Sequence, residues 1–253
     1  PVIGIRSFGE NPAIVAEFGA QAVKGFERGG VLAVGKHFPG HGNTSVDSHL
    51  DLPLLPHSLE RLNSCELVPF RAAIDSNIPA IMSAHILFPA YDNEKPATLS
   101  HNILQGLLRE QLGFKGLIMT DCLEMNAISE YVGTAKGAIE AFKAGCDLLL
   151  ISHTKEVQQQ AWHRLLDAVK SGEITVERLN QSVNRILSAK KRIARGLPSK
   201  EATDLPYQQL SDELHLKSMT VERNQAKLIP LHQDQGKKLS LCLATTRQKQ
   251  LLQ

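Results

Sequence analysis

The sequence predicts an α/β protein with a parallel sheet, because short apolar runs alternate along it with longer helical patterns. The runs are continuous and four to five residues long, as is typical of strands buried on both faces of such a sheet. A polar residue follows each run, at the strand end where the catalytic residues of these folds lie. The runs are 31–34, 80–84, 117–120 and 147–151, followed by Lys36 and His37, by His85, by Asp121 and by His153.

Capping residues predict where the intervening helices begin and end. Asn11, with Pro12 at the first helical position, is typical of a helix start, and Ser100 can cap a leucine-rich helix that ends at Gly113. Trp162 lies in a helical pattern and is predicted to belong to the core rather than to an aromatic platform on which a ligand stacks. Further helices are predicted at about 135–145, 156–170, 176–195 (with Thr175 as its cap) and 212–222.

Composition excludes several classes of protein. The chain has 253 residues, 42% of them hydrophobic, with 28 Lys+Arg against 26 Asp+Glu and a net charge of +2. The sequence contains no run of about 18 apolar residues and so predicts no membrane span. The net charge gives no reason to expect a nucleic-acid or membrane partner. The four cysteines are scattered, which favours buried thiols over a disulfide framework and the cytoplasm over secretion or the cell wall.

The two ends of the sequence and a change of pattern predict the domain organisation. The chain begins at Pro1 without a signal segment and ends just after a strand-like run, so we expect a fragment of a longer protein. Residues 1–196 carry the alternating strands and helices. Residues 197–226 are typical of a polar linker with a short helix, and residues 227–253 of the opening strand of a second domain.

The loop at 36–49 carries the densest set of chemically reactive side chains. It holds three histidines, one lysine and one aspartate, and two glycines and a proline shape its backbone. Asp47 and His49 are two residues apart, so the carboxylate can reach the imidazole, fix its tautomer and raise its basicity. His49 would then donate and accept a proton near neutral pH.

Two alternatives stay open for this loop. It can be a polar surface turn in which Asp47 forms an Asx-turn. It can also contribute to a zinc site, although the spacing matches no common zinc motif and Lys36 would repel the cation. The residues with suitable ligand types are His37, His41, His49, His85 and Asp121.

A second segment, residues 116–126, places Asp121 at the end of a buried apolar run. A carboxylate there is a nucleophile, a metal ligand or a helix N-cap. Beside an Asp–His pair, the nucleophile is the better interpretation. Glu124 is either a carboxylate partner of Asp121 or a residue in the first turn of a helix.

Together these motifs resemble glycoside hydrolase family 3. The resemblance rests on KHFPGHG at 36–42, DSH at 47–49, MTDCLEM at 119–125 and PVIGIRSFG at 1–9. Within the family, the sequence is similar to the bacterial β-N-acetylglucosaminidase branch, in which a histidine replaces the usual acid/base glutamate. The resemblance covers about residues 1–196.

The resemblance implies both a fold and an activity. The fold is the C-terminal half of a (β/α)8 TIM-type barrel without its N-terminal strands, followed at 227–253 by the start of an α/β sandwich domain. The activity is retaining hydrolysis of terminal β-linked N-acetylglucosamine from peptidoglycan fragments or related glycosides. The implied partner is a small-molecule carbohydrate, and no cofactor or metal is implied.

The same resemblance assigns roles to individual residues. Asp121 attacks the anomeric carbon and forms a glycosyl-enzyme. His49, supported by Asp47, protonates the leaving oxygen and then activates water. The sugar hydroxyls are held by Arg6, Lys36 and His37, and His85 either lines the pocket or is a satisfied buried histidine.

Other functions are kept as alternatives. A member of this family can act on β-glucosides, or by phosphorolysis, because a histidine does not repel an incoming phosphate as a glutamate would. A His/Asp metal-dependent hydrolase is the second alternative. A binding module would keep Arg6 and Lys36 but would not need Asp47 or Asp121, so the presence of both argues against it.

Overall fold

A computed structural model describes residues 2–44, 48, 50–195 and 206–219. The chain divides into two compact units, Pro1–Asp204 and Leu205–Gln253. The predicted domain boundaries at 196–197 and 226–227 lie outside the described residues, as does the strand predicted within 227–253.

The first unit contains the parallel sheet that the sequence predicts. In the described part of the chain, four strands are hydrogen-bonded in chain order, and every pair is parallel. The carboxyl ends of the strands therefore share one edge of the sheet. The strands are β1 (Val34–Phe38), β2 (Ala80–Ser83), β3 (Leu117–Cys122) and β4 (Leu148–Leu150).

The predicted position of the first strand, 31–34, is wrong. β1 begins only at Val34, because the N–H of Val31 still donates to a carbonyl of the preceding helix at 2.9 Å. Lys36 and His37 consequently lie within the strand instead of following it. The other three runs are confirmed as β2, β3 and β4, with ends shifted by one or two residues.

Helices connect the strands and carry the caps that the sequence predicts. The side-chain oxygens of Asn11, Ser100 and Thr175 each accept a hydrogen bond from a backbone N–H in the first turn of the following helix. The α-helices of the first unit are α1 (Pro12–Arg28), α2 (Leu59–Arg61), α3 (Leu67–Asp75), α4 (Asn126–Ser129), α5 (Thr134–Ala144), α6 (Lys155–Lys170) and α7 (Val176–Arg195), with π-type helices at Leu62–Glu66 and Asn102–Gln111 and 3-10 turns at Gly4–Arg6 and Ala97–Leu99.

The main hydrophobic core lies between the sheet and these helices. Ile81 and Ile118, from the two central strands, are fully buried in it, together with leucines of the π-type helix Asn102–Gln111. A smaller cluster forms where the strands begin, and there Ala189 of α7 packs with the first residues of β2 and β3. The carboxyl edge of the sheet is thus left for polar side chains.

Trp162 does not belong to this core, so that prediction is wrong. Its side chain is 66% exposed on α6, whereas the preceding residue, Ala161, is fully buried. The face of α6 that carries Ala161 therefore packs against the core, and Trp162 lies on the face that is directed to solvent.

A buried ionic network lies where β4 begins. The carboxylate of Asp147 has no exposed surface and pairs with Arg109 at 2.7 Å and with Arg185 at 3.0 Å. Arg178 lies 3.7 Å away, and the hydroxyl of Ser182 donates to the same carboxylate at 2.5 Å. Burial lowers the pKa of Arg109 to about 10, although the charge of Asp147 opposes this shift. The carboxylate of Asp147 thus joins α7 and the π-type helix Asn102–Gln111 to the sheet.

In its described part, residues 206–219, the second unit contains α8 (Tyr207–Ser218). The sequence predicts this helix at 212–222, but it begins five residues earlier, and the predicted end lies outside the described residues. The residues of α8 are exposed except for the half-buried Ser211. Across the described residues, no helix combines the length and apolar character needed to cross a membrane.

Candidate active site

Asp121, His37 and His85 come from three neighbouring strands and lie at the carboxyl edge of the sheet. Asp121 is the next-to-last residue of β3, His37 holds the same position in β1, and His85 follows the end of β2 by two residues. Asp121 Oδ2 and His37 Nε2 are 3.3 Å apart. The expectation that strand ends bring these residue types together is confirmed for this pair.

The carboxylate of Asp121 is held from two sides and keeps access to solvent. Its Oδ1 accepts a hydrogen bond from the N–H of Cys122 at 2.7 Å, and its Oδ2 faces His37. Burial raises the pKa of Asp121, but the hydrogen bonds from His37 and Cys122 and the nearby charge of His85 outweigh it, so this pKa lies well below its ordinary value. With 24% of its side chain exposed, Asp121 is an ionised and accessible carboxylate, as a nucleophile must be.

His37 is buried beside Asp121. Its side chain is 7% exposed, and its ring packs edge-on against that of His41 with the centroids 5.1 Å apart. The pairing of Nε2 with a carboxylate places a proton on that nitrogen. Among the described residues, its Nδ1 has no hydrogen-bond partner. His37 therefore orients Asp121, and its contact with sugar hydroxyls stays a prediction.

His85 lies behind the nucleophile candidate and is almost fully buried. Its Nδ1 lies 2.7 Å from Thr98 Oγ1, and its Nε2 donates to the carbonyl oxygen of Cys122 at 3.0 Å. Both ring nitrogens are thus engaged with the protein, as expected of a satisfied buried histidine. A direct contact of His85 with substrate stays a prediction.

The two cationic residues that the resemblance assigns to sugar binding are exposed. Lys36 precedes His37 in β1, and Arg6 ends the 3-10 turn Gly4–Arg6. Neither is paired with Asp121 among the residues that the structure describes. Their exposure leaves them available to a ligand, but the structure does not bring them to the carboxylate.

Asp47 and His49, the predicted acid/base pair, lie outside the described residues. Ser48, between them in sequence, is described and buried. Its carbonyl oxygen accepts a hydrogen bond from the N–H of Ala127 at 3.2 Å. Ala127 belongs to α4, which begins five residues after Asp121, so Ser48 lies beside the helix that follows β3.

Glu124 has a partner that the sequence interpretation did not identify. Its carboxylate accepts hydrogen bonds from the backbone N–H groups of Ser152, His153 and Thr154, which lead from β4 into α6. It is thus neither a partner of Asp121 nor a first-turn residue of its own helix. The donor N–H groups are 28 to 30 residues distant from Glu124 in sequence, so no local pattern could have indicated this contact.

The residues considered for a zinc site are only partly described, since His49 is not among them. In the described ranges, no group of three or more His, Cys, Asp and Glu side chains is placed to hold a metal ion. His37 faces Asp121, and His85 faces a hydroxyl and a carbonyl group.

Comparison with known proteins yields a family and several relatives. Residues 1–189 match the family described as glycosyl hydrolase family 3 N terminal domain. The chain is 37% identical to β-hexosaminidase A of Pseudoalteromonas piscicida over 251 residues, which cover 90% of this chain and 42% of that protein. It is 42% identical to a β-hexosaminidase of Neisseria meningitidis serogroup C over 157 residues, 62% of this chain and 43% of that protein.

Solved structures agree with this result. A family 3 β-N-acetylglucosaminidase from Paenibacillus is 53% identical with a TM-score of 0.76, over 77% of this chain and 37% of that one. A fungal multi-domain family 3 β-N-acetylglucosaminidase is 37% identical with a TM-score of 0.85, over 94% of this chain and 29% of that one. The α/β fold with a parallel barrel-type sheet is confirmed. The chain spans less than half the length of the curated relatives it matches.

Proposed function

This chain belongs to glycosyl hydrolase family 3, and we propose that the full-length protein is a retaining exo-β-N-acetylglucosaminidase. It releases terminal β-linked N-acetylglucosamine from peptidoglycan fragments or related glycosides through a covalent glycosyl-enzyme. The names of the most similar relatives, β-hexosaminidases and β-N-acetylglucosaminidases, support this sugar as the substrate.

The observation that carries the proposal is the state of Asp121. A carboxylate that attacks an anomeric carbon must be ionised, fixed in direction and open on one side. The hydrogen bonds from Cys122 and His37 fix Asp121 and hold its pKa low, while a quarter of its side chain stays exposed. His37 thus supports the attack without itself being the acid/base group.

Proton transfer is assigned to His49 with Asp47 as its support. The glycosidic oxygen needs a proton as it leaves, and the water of the second step needs a base, both of which one imidazole can supply. The burial of Ser48 and the hydrogen bond from Ala127 of α4, the helix that follows β3, support this assignment. Arg6 and Lys36 complete the proposal as donors to the sugar hydroxyls.

Phosphorolysis is the second candidate, and one observation favours keeping it. A β-glucoside phosphorylase, BglX, is 28% identical with a TM-score of 0.70 over 75% of this chain. An imidazole acid/base group does not repel an anionic acceptor such as phosphate, whereas a carboxylate does. In that case the glycosyl-enzyme is intercepted by phosphate in place of water.

The test is the cleavage of an aryl β-N-acetylglucosaminide by the full-length protein, beside an aryl β-glucoside, each with and without inorganic phosphate. We expect release from the acetamido sugar alone, with free N-acetylglucosamine as the product. Release from the glucoside alone would show that the substrate is a β-glucoside. Formation of a sugar 1-phosphate in the presence of phosphate would show that the reaction is phosphorolysis. Release from neither, together with a stoichiometric metal in the purified protein, contradicts the proposal and favours a metal hydrolase.

A further inference from the structure

The carboxylate of Glu124 binds three consecutive backbone N–H groups. Its Oε2 accepts from Ser152 at 2.8 Å and from His153 at 2.7 Å, and its Oε1 accepts from Thr154 at 2.9 Å. These residues lie between the end of β4 and the first residue of α6. An array of N–H groups at a helix start attracts anions, and here the chain supplies the anion itself.

The ionised form of Glu124 is the one that this arrangement favours. Partial burial raises the pKa of Glu124, but the hydrogen bonds from His153, Thr154 and Ser152 outweigh it and lower the pKa below its ordinary value. All three bonds are short, and charge-assisted hydrogen bonds are the stronger kind. The contact is therefore a firm link between two loops rather than a contact of surface side chains.

The same segment carries the nucleophile, and further bonds fix its backbone. The N–H of Leu123 donates to the carbonyl of Leu150 in β4 at 2.8 Å. The carbonyl of Cys122 accepts from His85, and the N–H of Cys122 donates to Asp121. Glu124 is the next residue along, so its three bonds hold the far end of a four-residue segment whose near end is the nucleophile.

We propose that Glu124 is a positioning residue for Asp121, an inference that rests on the proposed function. By tying the exit of β3 to the loop before α6, it keeps the peptide of Cys122 directed at Asp121 Oδ1. Displacement of a reacting group by about 1 Å can cost about 100-fold in rate. Loss of the Glu124 hydrogen bonds lets residues 121–124 relax. The carboxylate of Asp121 then attacks from a less favourable position, while substrate binding is little changed.

Two variants of the full-length protein separate positioning from stability. In Glu124→Ala all three hydrogen bonds are lost, and we expect kcat to fall about 10- to 100-fold while KM changes less than about threefold. In Glu124→Gln the amide oxygen still accepts while the NH2 group opposes an N–H donor, so kcat should lie between those of Glu124→Ala and the wild type. The melting temperature is measured for each variant.

Thr175→Ala is the matched control. Thr175 caps α7 through the N–H of Arg178 at 3.1 Å, and Arg178 lies 3.7 Å from Asp147 where β4 begins, whereas Asp121 lies at the opposite end of the sheet. This variant should lower the melting temperature and leave kcat per folded molecule unchanged, as expected when a cap with a purely structural role is lost. The ratio of kcat values between the two capping variants therefore measures positioning alone.

Each outcome bears on the inference. It holds if kcat falls in the order wild type, Gln, Ala at near-constant KM. It is overturned if Glu124→Ala keeps the kcat of Thr175→Ala, or, where the alanine variant does not fold, if Glu124→Gln is indistinguishable from wild type. A wild-type protein that cleaves none of the tested glycosides refutes the proposed function and this inference with it, whereas an active wild type with fully active variants refutes this inference alone.

Discussion

Two aspartates at opposite ends of the sheet have contrasting surroundings. Asp121, at the carboxyl end of β3, pairs with one imidazole and one backbone N–H and keeps 24% of its side chain exposed. Asp147, at the start of β4, has no exposed surface and faces three guanidinium groups. Both are charged groups in a partly apolar setting, yet one stays available to a ligand and the other does not.

The difference shows how one sheet separates chemistry from stability. The oxygens of Asp147 are engaged by arginine and serine side chains, so removing the carboxylate leaves three partly buried guanidinium groups without their shared negative charge. Asp121 has fewer partners and an open side, so it can approach a sugar. We therefore expect substitutions at Asp121 to change activity and substitutions at Asp147 to change the free energy of unfolding.

Replacing Asp121 gives the largest expected effect. In Asp121→Asn the shape is kept and the nucleophile is lost, so kcat/KM for an aryl β-N-acetylglucosaminide should fall by about 10⁴-fold or more. The melting temperature should fall less than in Asp147→Asn, because the amide can still accept from Cys122 and the residue is partly open to solvent. Retention of more than a tenth of the activity would break the contrast between the two aspartates.

Replacing Asp147 should have the converse result. Asp147→Asn removes the charge shared by Arg109, Arg178 and Arg185, and breaking a buried ion pair in this way costs about 3–5 kcal/mol of unfolding free energy. Urea denaturation of the purified protein measures this loss, and kcat per folded molecule should stay near that of the wild type. An unchanged midpoint would show that the network contributes no stability.

His37 sharpens the comparison through pH. A hydrogen bond to a charged group is worth about 1.5–3 kcal/mol, so His37→Ala should lower kcat/KM by about 10- to 100-fold. The pKa of Asp121 is depressed in the folded protein, so its carboxylate form persists until the pH falls through that low value. Without His37 this pKa rises, and the acidic limb of the kcat/KM profile moves to higher pH.

The matched control for His37 is His163→Ala, because His163 is exposed on α6 and bonds only a backbone carbonyl of its own helix among the contacts described. Its profile should overlay that of the wild type. An acidic limb that stays in place in His37→Ala would contradict the role of His37 in holding Asp121 ionised.

The smallest effect is expected away from both aspartates. Trp162→Ala removes a side chain that is mostly in solvent, so the unfolding free energy should change by less than about 0.5 kcal/mol. Ala161→Leu, at the adjacent buried position, should cost about 1–3 kcal/mol by overpacking. Equal costs at the two positions would contradict the observed orientation of α6.

The sequence predicts much of the fold because its signals are local. Continuous apolar runs locate β2, β3 and β4, and Asn11, Ser100 and Thr175 mark helix starts that the structure confirms. The apolar run misplaces the first strand because the residues directly after Gly30 complete the end of α1 before strand pairing begins at Val34. An apolar run alone does not distinguish those two uses.

The candidate site was predicted in part for the same reason. The place of Asp121 after a buried run identifies it as a candidate, but the sequence predicts its partner His37 in a loop, and the resemblance assigns His37 to the sugar. The contacts of Glu124 and of Asp147 join residues about 30 or more apart in sequence. They depend on how helices pack on the sheet, which local patterns do not contain.

Mechanism-based trapping tests the central claim, that Asp121 is the nucleophile, most directly. The full-length protein would be incubated with a 5-fluoro-N-acetylglucosaminyl fluoride, whose glycosyl-enzyme hydrolyses slowly, then digested and analysed by mass spectrometry. We predict that the peptide containing Asp121 gains the mass of one fluorinated sugar and that fragmentation places it on this carboxylate. A catalytically active protein that carries the label on another residue, or none at all, would contradict the account.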